Sequence, residues 1–170
     1  MRIGLLTVSD RSSRGERADE SGPALRRKLE AWGWRASEAA VVPDDPAEIE
    51  AALRRWADGG TVDVILTTGG TGFGERDRTP EATIAVCDRM APGLAEAMRA
   101  AGARRTPHAI LSRAAAGIRG RVLIVNLPGS PRGAVENLDL LRPVLGHAVQ
   151  LLRGDPEAEA GHKPSQRPQI

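Results

Sequence analysis

Short apolar runs alternate with amphipathic stretches along most of the chain, which is the pattern of an α/β protein. Runs rich in Val, Ile and Leu predict buried strands, and apolar positions at helical spacing predict the helices that cover them. The predicted strands are 2–8, 36–42, 62–67 and 121–127. The predicted helices are 21–32, 46–58, 80–89 and 92–101. Residues 134–152 are predicted to form separate helices on either side of Pro143.

Capping and helix-ending residues give the bounds of these elements. Ser21 is predicted to cap the first helix and Gly33 to end it, and Asp45 is predicted to cap the second helix. Residues 9–19 are predicted to form a polar loop, and residues 109–120 to hold a short hairpin.

Strand–helix–strand units of this length need right-handed crossovers, and they predict a largely parallel sheet covered on both faces. Such sheets bind ligands at the carboxyl ends of their strands. Loops 9–14, 67–79 and 128–132 follow three of the predicted strands, so we expect them to converge on one site. Residues 154–170, where Pro, Glu, Gly and Gln dominate, are predicted to be a disordered tail behind one domain at 1–153.

Composition then narrows the class of protein. A chain of 170 residues that is 41 % hydrophobic can bury a core, and it has no apolar run as long as a membrane span. The single cysteine, Cys87, indicates a reducing cytoplasm, and we expect it in the core in the middle of a helix. A net charge of +2, three Trp and one Phe argue against nucleic acid as a partner.

The strongest local signal is the glycine-rich segment 67–72, Thr-Thr-Gly-Gly-Thr-Gly, directly after a predicted buried strand. Glycines let backbone amides turn toward a ligand, and threonine hydroxyls add donors, so the segment suits an anion such as phosphate. It lacks the Lys-Ser/Thr ending of a P-loop and the last glycine of the dinucleotide motif, which argues against both of those classes.

Aspartates lie near this segment in the predicted topology. Asp44 and Asp45 follow a strand end, and Asp77 lies just beyond the glycines. A site that brings carboxylates beside phosphate needs a divalent cation between them, and Mg²⁺ is commonly held by one or two carboxylates plus phosphate. Each aspartate also has a structural alternative, because Asp45 suits a helix cap and Asp77 suits a solvated turn.

Two further segments are weaker candidates. The pair Ser112-Arg113 offers a guanidinium suited to phosphate or carboxylate, and the turn 128–131 follows the last strand. The three histidines share no metal-ligand spacing, which argues against zinc. The serine within 129–133 stands one place too early for a nucleophile elbow, which argues against a serine hydrolase.

Six short motifs, in order and with matching spacing, connect these signals to a known group. Over residues 2–154 the chain resembles the MogA/MoaB family of molybdenum-cofactor biosynthesis proteins, and its MogA branch most closely. The motifs are Thr7-Val-Ser-Asp-Arg11, Val42-Pro-Asp-Asp45, Thr67-Thr-Gly-Gly-Thr-Gly72, Arg76-Asp-Arg-Thr-Pro-Glu-Ala-Thr83, Leu111-Ser-Arg113 and Leu127-Pro-Gly-Ser-Pro131.

The resemblance implies a three-layer α/β/α fold, a homotrimer or hexamer in the cytoplasm, and adenylylation of molybdopterin by Mg-ATP with release of pyrophosphate. It also implies handover of the product to a molybdate insertase. The catalytic aspartates would be Asp44 and Asp77, which are also the candidate Mg²⁺ ligands. The candidate substrate-binding residues are Ser9, Thr68, Gly69, Gly70, Thr71, Gly72, Ser112, Arg113, Pro128, Gly129 and Ser130.

Two other functions remain open from the sequence. The first is a MoaB-like carrier, which would bind molybdopterin without adenylylating it. The resemblance leaves this open because some members of the family lack the first aspartate. This chain keeps both aspartates, which favours activity. A scaffold protein would need partner-binding segments, for which the tail at 154–170 is the candidate.

Overall fold

A six-stranded sheet forms the centre of the computed structural model, which describes residues 1–156 and 158. The strands are β1 (Arg2–Val8), β2 (Arg35–Val42), β3 (Val64–Thr68), β4 (Arg89–Met90), β5 (Ala116–Arg119) and β6 (Val122–Leu127). The helices are α1 (Asp10–Ser13), α2 (Ser21–Ala31), α3 (Pro46–Asp58), α4 (Thr79–Val86), α5 (Pro92–Ala103) and α6 (Pro131–Arg153), with a 3₁₀ helix at Pro107–Leu111.

The sheet is mostly parallel and has an antiparallel end. Its order is β2-β1-β3-β6-β5-β4. The pairs β1–β2, β1–β3 and β3–β6 are parallel, whereas β5 pairs antiparallel with both β6 and β4. The prediction of a largely parallel sheet is confirmed. The predicted hairpin is misplaced, since it joins β5 to β6 instead of lying within 109–120.

Helices cover both faces of the sheet, because successive strand side chains point to opposite sides. Leu5 and Leu66 pack in one core with residues of α2, α5 and α6. Leu6 and Ile65 pack in a second core with residues of α3 and α4. The protein therefore has the three-layer α/β/α architecture that the resemblance implies.

Polar side chains explain where α2 and α3 begin. Asp45 caps α3 as predicted, since its Oδ1 accepts the N–H of Ala47 at 2.9 Å. The prediction that Ser21 caps α2 is wrong: the Ser21 N–H donates to Asp19 Oδ1 at 3.0 Å, and Asp19 therefore holds the helix start. The predicted polar loop after β1 also contains the short helix α1, which Ser9 caps.

Two helices, α4 and α6, differ from the predictions. Helix α4 stops at Val86, and Cys87 is extended (φ −80°, ψ 140°) and half-buried beside the second core instead of lying in mid-helix. Helix α6 continues through Pro143, which removes one backbone donor. Leu141 and Leu145, on either side of Pro143, are both buried, and this continuous apolar face keeps the helix in one piece.

The tail predicted at 154–170 lies outside the described residues, apart from 154–156 and 158. A membrane-crossing helix, which would have to be long and apolar, is not found anywhere in residues 1–156 and 158.

A buried carboxylate joins the start of β1 to the end of α6. Asp63, only 4 % exposed, accepts the backbone N–H of Arg2 and the guanidinium of Arg153, each at 2.8 Å. Burial alone would raise the pKa of Asp63, but the hydrogen bonds from these two arginines hold that pKa well below its ordinary value.

We therefore expect this group to make unfolding depend on pH. The unfolded carboxyl has a pKa of about 3.9, so the stability that Asp63 contributes is complete above about pH 5 and is lost as the pH falls further. Replacing Asp63 with Asn should flatten the decline in the free energy of unfolding between about pH 5 and pH 2, measured by urea denaturation. Asp139→Asn, which removes an exposed ion pair with Lys28, is the control that should leave the slope unchanged. An equally steep decline in the Asp63 variant would contradict this account.

Candidate active site

Close backbone approaches and hydrogen bonds bring the three loops after β1, β3 and β6 together at one edge of the sheet, with Gly69 packed against both Val8 and Gly129. The Ser9 N–H donates to the carbonyl of Val42 at 2.9 Å, which joins the first loop to the end of β2. The Thr68 hydroxyl donates to the carbonyl of Pro128 at 2.7 Å, which joins the glycine-rich loop to the turn after β6. The convergence expected from strand order is confirmed.

The glycine-rich loop approaches neighbouring atoms too closely for any other residue at its turn. Gly69 (φ +103°) and Gly70 (φ +62°) both have left-handed backbone. A Cβ on Gly69 would lie 2.2 Å from the carbonyl oxygen of Val8, and one on Gly70 would lie 2.3 Å from Thr79 Oγ1. Glycine is required here because the loop turns between β1 and the start of α4.

The turn after β6 packs directly on this loop. A Cβ on Gly129 would lie 3.2 Å from the Cα of Gly69. The Ser21 hydroxyl donates to the Gly129 carbonyl at 2.8 Å, and Ser130 Oγ caps α6 by accepting the N–H of Gly133 at 3.2 Å. The N-terminus of α6, a long helix, therefore begins beside the glycine-rich loop, where its dipole favours negative charge.

Asp44 is held by a second aspartate that the sequence-based reasoning did not select. Asp44 Oδ2 accepts the N–H of Asp10 at 2.7 Å, and Asp10 Oδ1 accepts the N–H of Asp44 at 3.0 Å. Arg76 donates to both oxygens of Asp10, at 3.0 and 2.9 Å. Both Asp10 and Arg76 stand inside quoted motifs, but nothing local shows that they pair.

The electrostatics of this group favour a cation. Burial raises the pKa of Asp44, and the negative charges of Asp10 and Asp77 raise it further. The hydrogen bond from Arg76 lowers the pKa of Asp10, so that carboxylate stays ionised. A positive ion beside Asp44 would relieve the same repulsion that raises its pKa.

Asp77 lies farther along the same loop and contacts its later glycines. Its Oδ2 accepts the N–H of Gly74 at 2.8 Å, and a Cβ on Gly72 would lie 2.9 Å from that oxygen. A Cβ on Gly70 would lie 3.2 Å from Asp44 Oδ1. Both predicted aspartates therefore lie beside the glycines, Asp44 at Gly70 and Asp77 at Gly72.

Carboxylates alone do not complete a metal site. Across residues 1–156 and 158, no group of three or more His, Cys, Asp or Glu side chains is arranged to hold a metal ion. Proteins nevertheless commonly supply only one or two carboxylate ligands to Mg²⁺, which takes its remaining oxygen ligands from water and substrate phosphate. The donor set therefore fits a Mg²⁺ ion that arrives with a phosphate ligand.

A cavity of about 350 Å³ opens next to the loop, between α5, the 3₁₀ helix and α6. Five predicted residues line it: Thr71, Gly72, Ser112, Pro128 and Ser130. Arg99 also lines it and donates to the carbonyl of Ala114 at 2.9 Å. The sequence-based reasoning missed the walls from α5 and α6 because their polar residues carry no local motif.

The remaining predicted residues lie outside that cavity and make internal contacts. Ser9 caps α1 through its side chain, accepting the N–H of Ser12 at 3.2 Å. The Thr68 side chain is buried and bonded to Pro128, as described above. Arg113 contacts the backbone of the glycine-rich loop, donating from Nε to the Gly72 carbonyl at 2.7 Å.

These features define a class of protein: α/β domains that bind a small anionic ligand at the carboxyl ends of their strands. The sheet is mostly parallel, and a glycine-rich loop, two nearby carboxylates and a cavity lie at its carboxyl edge. Residues 4–147 match the family described as "Probable molybdopterin binding domain", and the chain belongs to that family.

Individual relatives extend over nearly the whole chain. The molybdopterin adenylyltransferase of Helicobacter pylori J99 is 42 % identical over 155 residues, covering 90 % of this chain and 88 % of that protein. The Escherichia coli K12 molybdopterin adenylyltransferase is 41 % identical over 157 residues, covering 88 % and 77 %. A crystal structure of the molybdopterin biosynthesis enzyme MoaB from Thermus thermophilus is 54 % identical, with a TM-score of 0.85 and coverage of 91 % and 98 %.

Proposed function

We propose that the protein is a molybdopterin adenylyltransferase of molybdenum-cofactor biosynthesis. The observation that carries the proposal is the placement of Asp44 and Asp77 beside the same glycine-rich loop, next to a cavity large enough for a ring system. Relatives with this activity, at 41–42 % identity over most of the chain, support it.

The reaction joins the phosphate monoester of molybdopterin to the α-phosphorus of ATP. An oxygen of the monoester forms the new P–O bond to the α-phosphorus. The bond from the α-phosphorus to the oxygen that bridges it to the β-phosphorus breaks, so that pyrophosphate leaves with that oxygen and the electron pair. The monoester has a second pKa of about 6 and is already largely a dianion at neutral pH. No general base is required, which leaves alignment and charge neutralisation as the protein's tasks.

Asp44 and Asp77 would hold Mg²⁺ through carboxylate oxygens, and the ion would supply neutralisation of phosphate charge. We assign the phosphate-binding amides to Gly70, Thr71 and Gly72, because the Gly69 N–H already points to the Leu127 carbonyl at 3.4 Å. The N-terminus of α6 adds positive potential beside them.

The cavity beside the loop is the assigned site of the ring system of molybdopterin. Its walls include Ser112, Pro128 and Ser130, and its opening adjoins Thr71 and Gly72. A ring system held there would place its phosphate toward the glycine-rich loop, where the two aspartates are. We also propose a homotrimer in the cytoplasm that delivers its product to a molybdate insertase, in keeping with the family resemblance.

Pyrophosphate release tests the proposed function. Purified protein is given Mg-ATP with and without freshly prepared molybdopterin, and pyrophosphate is measured together with adenylyl-molybdopterin. We expect release only when both substrates and Mg²⁺ are present. Binding of molybdopterin with no pyrophosphate would establish the carrier function instead.

A further inference from the structure

Arg113 makes a set of contacts that no substrate-binding role explains. Its backbone N–H donates to the carbonyl of Thr71 at 2.9 Å, and its Nε donates to the carbonyl of Gly72 at 2.7 Å. Its two terminal nitrogens donate to the Asp77 carbonyl and to the Glu81 carboxylate. One residue therefore contacts the beginning of the loop, its end and the first turn of α4.

Segment 71–77 has, within the part of the chain that the structure describes, one other hydrogen-bonded connection to a distant residue: the exposed Arg76 side chain donates to both oxygens of Asp10 at 3.0 and 2.9 Å. Within it, the Asp77 N–H donates to the Gly74 carbonyl at 3.0 Å, and the Asp77 side chain accepts the Gly74 N–H. These bonds hold the turn to itself and do not join it to the rest of the protein. Apart from the exposed Arg76–Asp10 pair, Arg113 connects the segment to the protein, from the stretch that leads into β5.

Glu81 fixes the guanidinium from the opposite side. Burial alone would raise the pKa of Glu81, but its hydrogen bond with Arg113 and with backbone holds that pKa below its ordinary value. The second carboxylate oxygen of Glu81 is buried. The Glu81 carboxylate is therefore ionised at neutral pH and makes a charge-assisted bond, which is stronger than a neutral one.

We propose that Arg113 is a positioning residue: it holds segment 71–77 so that Asp77 presents its carboxylate to the metal–nucleotide complex, and it does not bind substrate itself. The proposal rests on the function proposed above, which makes Asp77 a metal ligand. Carboxylates in such sites must be held within about 0.5 Å of the productive geometry. Each of the three acceptors is met by a different nitrogen of the guanidinium, whereas the three donors of a lysine ammonium share one nitrogen and cannot span the same acceptors.

The test compares Arg113→Lys with Arg119→Lys. Arg119 is a matched control, because it also makes three side-chain bonds, two to Asp58 at 2.8 Å and one to the carbonyl of Val86 at 3.0 Å, at the far end of α4. Three quantities are measured on each purified protein: amide hydrogen exchange of residues 70–78, the equilibrium Kd for molybdopterin, and kcat and KM for pyrophosphate release.

In Arg113→Lys we expect exchange of residues 70–78 to become at least about tenfold faster, since bonds that join this segment to the protein are lost. We expect kcat to fall about 10- to 100-fold, while the Kd for molybdopterin stays within about twofold. Arg119→Lys should show none of these changes. Glu81→Gln, which keeps the arginine, should move exchange and kcat in the same direction by smaller factors, and it serves if the lysine variant does not fold.

Three results would overturn the proposal. One is an unchanged rate of amide exchange of residues 70–78 in both Arg113→Lys and Glu81→Gln. Another is faster exchange with unchanged kcat. A third is a Kd for molybdopterin that rises at least about tenfold with kcat unchanged, which would make Arg113 a ligand contact. If the unmodified protein releases no pyrophosphate, the adenylyltransferase function fails, whereas the exchange comparison still decides whether Arg113 holds the segment.

Discussion

Replacing Asp77 with Asn should abolish pyrophosphate release, with a fall in kcat of at least about a hundredfold, and leave molybdopterin affinity nearly unchanged. The amide oxygen of Asn can still accept the N–H of Gly74, now accepted by Asp77 Oδ2 at 2.8 Å, so the turn keeps its shape. What is lost is the negative charge that would neutralise Mg²⁺. Asp77 does not line the cavity that we assign to the ring system of molybdopterin, which is why binding should persist.

Glu75→Gln is the matched control for this variant. Glu75 is an exposed acid in the same loop, two positions before Asp77, and its removal deletes the same charge without touching the carboxylates that flank the glycines. Turnover in the Gln variant should stay close to that of the unmodified protein. Full activity of Asp77→Asn would refute the assignment of Asp77 as a metal ligand. Equal losses of kcat in Asp77→Asn and Glu75→Gln would show that only the total negative charge of the loop matters.

The second large effect is expected at Gly69. In Gly69→Ala the new methyl group would lie 2.2 Å from the carbonyl oxygen of Val8. The backbone fixes the position of a Cβ, and the oxygen belongs to the backbone of β1, so neither can rotate away. The positive φ of +103° adds strain for any residue with a Cβ. We expect the free energy of unfolding, measured by urea denaturation, to fall by about 3 kcal/mol or more, with loss of molybdopterin binding as the loop moves.

Gly33→Ala separates the two contributions to that effect. Gly33 also has a positive φ, of +72°, but a Cβ there would meet no heavy atom within 4 Å. Its substitution should cost only the conformational penalty, about 1–2 kcal/mol, and leave molybdopterin binding intact. Equal losses of stability in the two variants would show that the approach of Gly69 to Val8 has no energetic importance.

Elements that depend on near neighbours in the chain were predictable. Strands β1, β3 and β6 are buried apolar runs, and the bounds of their predictions fall within two residues of those observed. The cap at Asp45 was also predictable, because a helix start is decided by hydrogen bonds to N–H groups two and three positions ahead. The wrong cap at Ser21 shows the limit of such signals, since Asp19, two residues earlier, offers a competing acceptor.

Features that depend on long-range packing were not predictable. The continuity of α6 across Pro143 follows from burial of Leu141 and Leu145 against other elements, which outweighs a local helix-breaking signal. Strand β4 has two residues, both exposed, and exists only because β5 pairs with it. The end of α4 before Cys87 follows from the same pairing.

Within the site, the sequence by itself determined which residue types are present and that the loops carrying Asp44, Asp77 and the glycines follow strands of one largely parallel sheet. Parallel strands leave their carboxyl ends at one edge, so this much follows from strand order alone. The tertiary structure decided the partners: Arg76 reaches Asp10 across 66 positions, and Arg113 reaches the Asp77 carbonyl across 36. The sequence shows only that a residue is arginine, and not whether its guanidinium binds a substrate or the protein's own backbone. Only the folded chain determines which acceptors lie within its reach.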